Sequence, residues 1–343
     1  MIKYLGSKRL LIEPIAAAVG AHRGARTVLD LFSGTSRVGH ALKGRGYRVV
    51  ANDHNAYAAT LARCYVQADA EDWAAEAEAL LSELAETPPE AGWFTETYCV
   101  QSRYFHPTNG ARIEAIRNAI AKRELPPELE AIALTSLMEA ADRVDSTTGV
   151  QMAYLKQWAK RAHNPLKLRL PALLPRAEAG KGQALEQDAL EAAGTEADVA
   201  YLDPPYNQHK YVGNYHVWET LVRWDQPETY GVARKRIDCK VRKSPFNSKP
   251  RIEGAMRELV AAVKAPTLVV SFSDEGYLDR EALESILASR GEVRVFEHDY
   301  RRYVGARIGI HDPKGRKVGK ISHLKNKERI FLVSEDPAVL AAL

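Results

Sequence analysis

Residues 27–53 constrain the fold of this chain more than any other stretch. Thr27-Val28-Leu29-Asp30-Leu31-Phe32 is a short apolar run of strand length, and Ser33-Gly34-Thr35-Ser36 has turn chemistry. Residues 37–43 carry a helical pattern, and Arg48-Val49-Val50-Ala51-Asn52-Asp53 is a second strand ending on an acid. A strand-turn-helix-strand unit of this kind implies a parallel α/β sheet. In open α/β sheets, ligands sit beyond the carboxyl ends of the strands. Gly34 and Asp53 therefore mark the first place to look for a site.

A further helix is expected over 56–67, after which the pattern changes. From 69 to about 163 the periodicity is mainly helical, as in 111–120 and 128–144, punctuated by Pro88-Pro89 and Pro126-Pro127. The sheet resumes at Val199-Ala200-Tyr201-Leu202. Later strands are expected over 267–272, 293–296 and 330–333, with helices over 252–264 and 280–289 between them. The organisation read from this is a sheet domain made of 1–68 and 181–343, interrupted by a mainly helical insertion over 69–180.

Composition excludes several classes. With 343 residues, 45% apolar and 27% charged, the chain can bury a sizeable core. No run is long enough to span a bilayer, and the start lacks a signal-peptide layout, so no membrane role is expected. Cys64, Cys99 and Cys239 are far apart and form no CxxC pair. Neither a metal site nor a disulfide framework is expected, and a reducing cytoplasm fits. The net charge is +4, but unevenly placed. Residues 64–102 hold nine acids and no Lys or Arg; residues 234–251 hold eight Lys/Arg against one acid; residues 299–329 hold ten against three. Solvated loops account for one such block. Two blocks in the same half favour a polyanionic partner.

The glycine turn is weak evidence alone, since any strand-to-helix turn can look like it. Ser33 to Gly39 matches neither GxGxxG nor a P-loop, so a cofactor without a pyrophosphate fits better. Gly34 lets the backbone approach such a ligand. Asp53, nineteen residues on, suits two ribose hydroxyls. The stronger signal is Asp203-Pro204-Pro205-Tyr206, directly after the apolar strand at 199–202. Average residue usage puts a chance DPPY at on the order of one in several hundred chains of this size. An aryl amine is a poor nucleophile because its lone pair is delocalised into the ring. Asp203 accepting one N–H, and the Pro204 carbonyl the other, localises that lone pair. Consecutive prolines fix the backbone and donate no N–H, so their carbonyls stay pre-aimed. Tyr206 offers a face for a base to stack on. A proline-rich turn capping a strand is the bland reading of the same four residues.

At this point the chain resembles the Dam-like, alpha-group N6-adenine DNA methyltransferases. The resemblance runs over Lys3-Tyr4-Leu5-Gly6-Ser7-Lys8, Asp30-Leu31-Phe32-Ser33-Gly34, Asn52-Asp53 and Asp203 to Tyr206, in that order, with a long insertion before DPPY. It implies a Rossmann-like class I methyltransferase sheet, mostly parallel with one antiparallel edge strand, and an inserted helical target-recognition domain. It also implies S-adenosylmethionine as cofactor, held by Tyr4, Lys8, Asp30, Phe32, Gly34, Asp53, Asp188 and Asp203. Asp203, Pro204, Pro205 and Tyr206 would be catalytic. The implied activity is transfer of a methyl group to adenine N6 in double-stranded DNA by base flipping and direct attack. A restriction endonuclease in the same system and a monomeric state go with that reading.

Phosphate contacts are expected from Lys210, Arg234, Lys235, Arg236, Lys240, Arg242 and Lys243, and from Arg301 and Arg302, with Tyr303 and Arg307 beside them. In the insertion, Arg103, Asn109, Arg112, Arg143 and Gln151 have the chemistry to read base edges, though each also suits a capping role. Tyr211 and Tyr215 follow DPPY and suit a base pocket, whereas His216 and Trp218 read better as core residues. No cysteine follows a proline, which disfavours covalent attack on a base. The alternatives are an RNA base methyltransferase, a DNA cytosine-N4 methyltransferase and a catalytically silent DNA-binding protein. A protein-glutamine methyltransferase would be expected to begin its motif with Asn.

Overall fold

The computed structural model describes residues 1–301 and 325–343. In chain order the strands are β1 (Thr27–Asp30), β2 (Arg48–Asn52), β3 (Gln183–Leu185), β4 (Val199–Leu202), β5 (Thr229–Tyr230), β6 (Lys235–Arg236), β7 (Thr267–Ser273), β8 (Glu292–Arg301) and β9 (Lys325–Ser334). Seven of them form one sheet in the order β3-β2-β1-β4-β7-β9-β8, and β5 pairs with β6 in a separate hairpin. All pairings from β3 to β7 are parallel; β9 runs antiparallel to both neighbours. This is the mostly parallel sheet of a Rossmann-like methyltransferase. The antiparallel strand slots in beside the edge strand β8.

The strands are apolar on both sides because both faces are covered. Successive residues split between two layers. Leu29, Ala200, Leu268 and Val270 meet the helices Ile252–Ala262 and Arg280–Leu287. Val28, Val199, Tyr201 and Val269 meet Ile12–Gly20 and Arg37–Lys43. β1 lies between β2 and β4, so the chain reverses direction of build at the β1/β4 boundary. That boundary is where a crevice opens at the carboxyl ends.

The segment 69–180 contains the helices Ala70–Ala85, Pro107–Ala121 and Pro127–Arg143. Pro107 and Pro127 each open a helix, where a missing N–H costs nothing. Glu128 and Glu130 in the first turn and Arg143 in the last suit the helix dipole. These helices share an apolar cluster with Tyr57, Leu61 and Tyr65 before the segment and with Tyr215, Trp218 and Leu221 after DPPY. Lys43 and Asp69, both buried, pair at 2.8 Å at its entrance. Trp218 is thus a core residue, as expected. The short β3 and the β5–β6 hairpin were not anticipated from the sequence.

Candidate active site

One cavity opens at the carboxyl ends of β1, β2 and β4. Tyr4, Lys8, Asp30, Phe32, Gly34, Asp53, Asp188 and Asp203 all line it, although they come from five separate stretches of the chain. Asn52, the last residue of β2, joins three of those stretches. Its amide N–H donates to the carbonyls of Leu31 and Gln187, and its side-chain oxygen accepts the Gln187 N–H. Asp188 is exposed and caps the short helix Ala189–Ala192 by accepting the Leu190 N–H at 2.9 Å.

Gly34 is a position that needs glycine. Its φ is +51°, and an added Cβ would lie 3.1 Å from the Tyr4 ring. Tyr4 itself lies near-parallel to both Tyr211 and Tyr215, with centroids 5.2 and 4.6 Å away. The Gly34 N–H donates to Asp53 Oδ2 at 3.1 Å, and Asn55 donates twice to Oδ1. Three of roughly four acceptor positions on the Asp53 carboxylate are therefore taken. About one acceptor position of this carboxylate stays open.

Asp203 follows β4, and its Oδ1 lies 3.0 Å from the Lys8 ammonium. The same ammonium meets Glu328 Oε2 at 3.3 Å. Burial alone would lower the Lys8 pKa; Asp203, with Tyr206 and Glu328, outweighs it and holds the ammonium well above its usual value. Its partner does not shift down in return. Burial pushes the Asp203 carboxyl up to about 6, against Lys8 and aided by the Glu328 charge, because one ammonium serves two carboxylates. Asp30 is buried and neither of its oxygens meets a hydrogen-bond donor. Burial, then the Asp203 charge, push it up to about 8, with the nearby Gly39 N–H pulling the other way.

The DPPY residues divide. Pro205 lines the cavity and Pro204 is buried. The Tyr206 ring leans on Phe272 at 5.1 Å, and its hydroxyl donates to Glu328 Oε1 at 3.4 Å. Tyr206 thus packs beside Asp203 against Phe272 and Glu328. Glu328 escaped the sequence reading because it lies 125 residues beyond Asp203 in an ordinary charged run.

The cavity mouth is basic. Lys210, Arg242 and Lys243 line it, with Phe246 set edge-on against Phe32. Lys210, Lys240 and Lys243 are exposed, Arg234 and Lys235 half-buried, and none of the five has an ion-pair partner among the described residues. Arg236 corrects the expectation. It is buried, clamps Asp225 with two bonds of 2.7 Å and also meets Asp238, so it cannot reach a phosphate. Arg242 is partly tied inward to Glu219 and Asn55. Arg301 ends β8 with its side chain outside the description, and Arg302, Tyr303 and Arg307 lie outside the described residues.

The insertion residues with base-reading chemistry make the backbone bonds of their capping alternative. Asn109 is buried and bonds the Ala162 and Asn164 carbonyls. Arg103, Arg112 and Arg143 donate to backbone carbonyls, and Gln151 is buried against Val217 and Asn214. His216 is also buried, on the Gln151 carbonyl, and burial lowers its pKa to about 3.

A family model described as D12 class N6 adenine-specific DNA methyltransferase matches residues 4–285, which contain nearly all of these side chains. The chain belongs to that family. Among relatives, it is 31% identical to the type II methyltransferase M.FokI of Planomicrobium okeanokoites, over 98% of this chain and 53% of the relative. It is 30% identical to the modification methylase StsI of Streptococcus sanguinis, over 88% and 49%. It is 29% identical to the type II methyltransferase M.NlaIII of Neisseria lactamica, over 95% and 99%. The chain thus spans about half the length of the first two and nearly all of the third. Within this D12 member, no helix among the described residues is long and apolar enough to cross a membrane, and no group of His, Cys, Asp and Glu could hold a metal ion.

Proposed function

We propose that this chain transfers a methyl group from S-adenosylmethionine to the N6 amine of adenine in duplex DNA. The observation that carries the reading is the Asp203 carboxylate at the end of β4, with one oxygen on buried Lys8 and the other without a partner among the described residues. It faces the cavity that Gly34 and Asp53 also line. The fit to a nucleoside sulfonium rests on Asp30, a buried carboxyl with two unsatisfied oxygens on the cavity wall, and on Gly34, where any Cβ would crowd the space. When bound, the cofactor supplies an electrophilic methyl group.

In this reading Tyr4, Asp30, Gly34, Asp53 and Asp188 bind and orient the cofactor. Asp203 Oδ2 and the Pro204 carbonyl accept the two N6 hydrogens and localise the amine lone pair. Lys8 holds Asp203 ionised and aimed, so that little reorganisation is needed at the moment of reaction. Lys210, Lys235, Lys240 and Lys243 supply phosphate contacts around the mouth, which an extruded base would enter. The segment 69–180 serves target recognition, with Asn109 held by the Ala162 and Asn164 carbonyls.

The test is methyl transfer from labelled cofactor to duplex DNA and to total RNA, with nucleosides resolved by mass spectrometry. N6-methyladenine in DNA is expected, and Asp203→Ala should abolish it while DNA binding persists. Label only in RNA, or only on cytosine, would sink the reading.

A further inference from the structure

Lys8 and Asp203 would make a neutral pair by themselves. The structure adds a third charge. Glu328 sits on β9, is 6% exposed, and spends one oxygen on Lys8 and the other on the Tyr206 hydroxyl. The cluster of one ammonium and two carboxylates is therefore net negative. Burying a second carboxylate is unfavourable unless it is paired and hydrogen-bonded. Here it shares its counterion with the reacting carboxylate, which is a poor solution if stability were the sole aim.

We infer that Glu328 is a positioning residue for the methyl transfer: it fixes Lys8 and Tyr206 behind Asp203 and leaves the cluster with a surplus negative charge facing the amine. The inference rests on the reading of the chain as an adenine N6-methyltransferase. The chemistry asks for that surplus. As the N6 lone pair forms the new N–C bond, the S–C electrons return to sulfur and N6 becomes positively charged. N6 then releases a proton to Asp203 or to water. A neutral Lys8–Asp203 pair would answer that developing charge weakly; a cluster of charge −1 answers it throughout. The bond to Tyr206 also ties the carboxyl side of the DPPY turn to β9, at the sheet position where Glu328 is in register with Ser273 of β7.

Several titratable groups face this cluster. Glu328 meets Lys8 and Tyr206, with His298 in register across β8. Asp203 also acts on Tyr201, Tyr211 and Asp30. Histidine as a residue type changes charge between about pH 5 and 8, so His298, in register with Glu328, needs a control.

The experiment compares parent, Glu328→Gln, Glu328→Asp and His298→Gln by steady-state methyl transfer across pH, cofactor calorimetry and thermal unfolding. Methylation of DNA by the parent must be seen first; its absence would be a failure of the functional reading, not of this inference. For Glu328→Gln, kcat is expected to fall about tenfold or more, with cofactor affinity and KM for DNA within about threefold of the parent. Its low-pH limb should move to lower pH, because the charge that raises Asp203 is gone. Glu328→Asp, which keeps the charge, should hold the limb at the parent's position, and His298→Gln should too. The inference is overturned if Glu328→Gln keeps kcat within about twofold, if its limb does not move, or if His298→Gln abolishes the limb. It is equally overturned if both Glu328 variants lose kcat, cofactor affinity and thermal midpoint in parallel.

Discussion

Replacing Lys8 by Met removes the charge and keeps the length of the side chain. The Lys8 ammonium serves Asp203 at 3.0 Å and Glu328 at 3.3 Å, and the Lys8 and Glu328 side chains are 6% and 7% exposed. Removing one partner of a buried pair costs about 3–5 kcal/mol, since the remaining charge has neither counterion nor water. Here two carboxylates remain, but they need not stay charged. Asp203 is already raised to about 6 with Lys8 beside it. Without Lys8, burial and Glu328 act unopposed, and Asp203 should be protonated at neutral pH. The sign follows from proton binding. A carboxyl whose folded pKa lies above its unfolded value penalises the fold increasingly as pH rises from the unfolded pKa to the folded one. In the parent that penalty has levelled off above pH about 6, and Lys8, held well above its usual pKa, stays charged throughout. In the variant it keeps growing. The stability deficit of Lys8→Met should therefore widen by about 1.4 kcal/mol per pH unit between roughly pH 6 and 8. Urea unfolding of both proteins at several pH values measures it. Methyl transfer at neutral pH should fall about 100-fold or more, because a neutral Asp203 no longer polarises the amine, with partial recovery in alkali. A deficit that is flat with pH, or that shrinks as pH rises, would refute the reasoning.

Three further outcomes are expected. Gly34→Ala forces a side chain into positive φ and to 3.1 Å from the Tyr4 ring, at a cost of about 1–3 kcal/mol, so calorimetry should find cofactor affinity reduced about tenfold or more; an unchanged affinity would mean that Tyr4 does not shape the cofactor site. In the parent, kcat should decline as pH falls through about 6, where Asp203 takes up a proton; a limb near 4 would mean that burial does not raise it. Arg236→Ala should lower stability by about 2–3 kcal/mol, discounted from a fully buried pair because Asp225 and Asp238 keep some solvent. Lys243→Ala should instead leave the thermal midpoint alone and reduce the salt dependence of DNA binding by about one ion. The opposite assignment of these two effects would overturn the division between pinned and free cations.

The sequence by itself determined the parallel sheet, because apolar runs of strand length joined by a turn and a helix have few other ways to be buried. It also pointed to the strand ends that line the cavity. Asp30, Gly34, Asp53 and Asp203 all stand at or just beyond a strand end, a place that periodicity locates without any contact being known. The resemblance supplied Tyr4 and Lys8, which local pattern alone would have left as an unremarkable start. Other features were settled by tertiary structure alone. β3 is three residues long and takes its strand conformation from pairing with β2, with no pattern of its own. Whether a cation in the 234–243 block is free depends on acids elsewhere: Asp225 and Asp238 claim Arg236, and Glu219 claims part of Arg242. The polar residues of the insertion look like readers in sequence, but Asn109 spends both side-chain N–H groups on carbonyls, and Arg103, Arg112 and Arg143 each donate to one or two. Glu328 is the clearest case. Its position in an ordinary charged run carries no signal, and it joins Asp203 because β9 runs antiparallel beside β7 and delivers one carboxylate to a lysine near the other end of the chain.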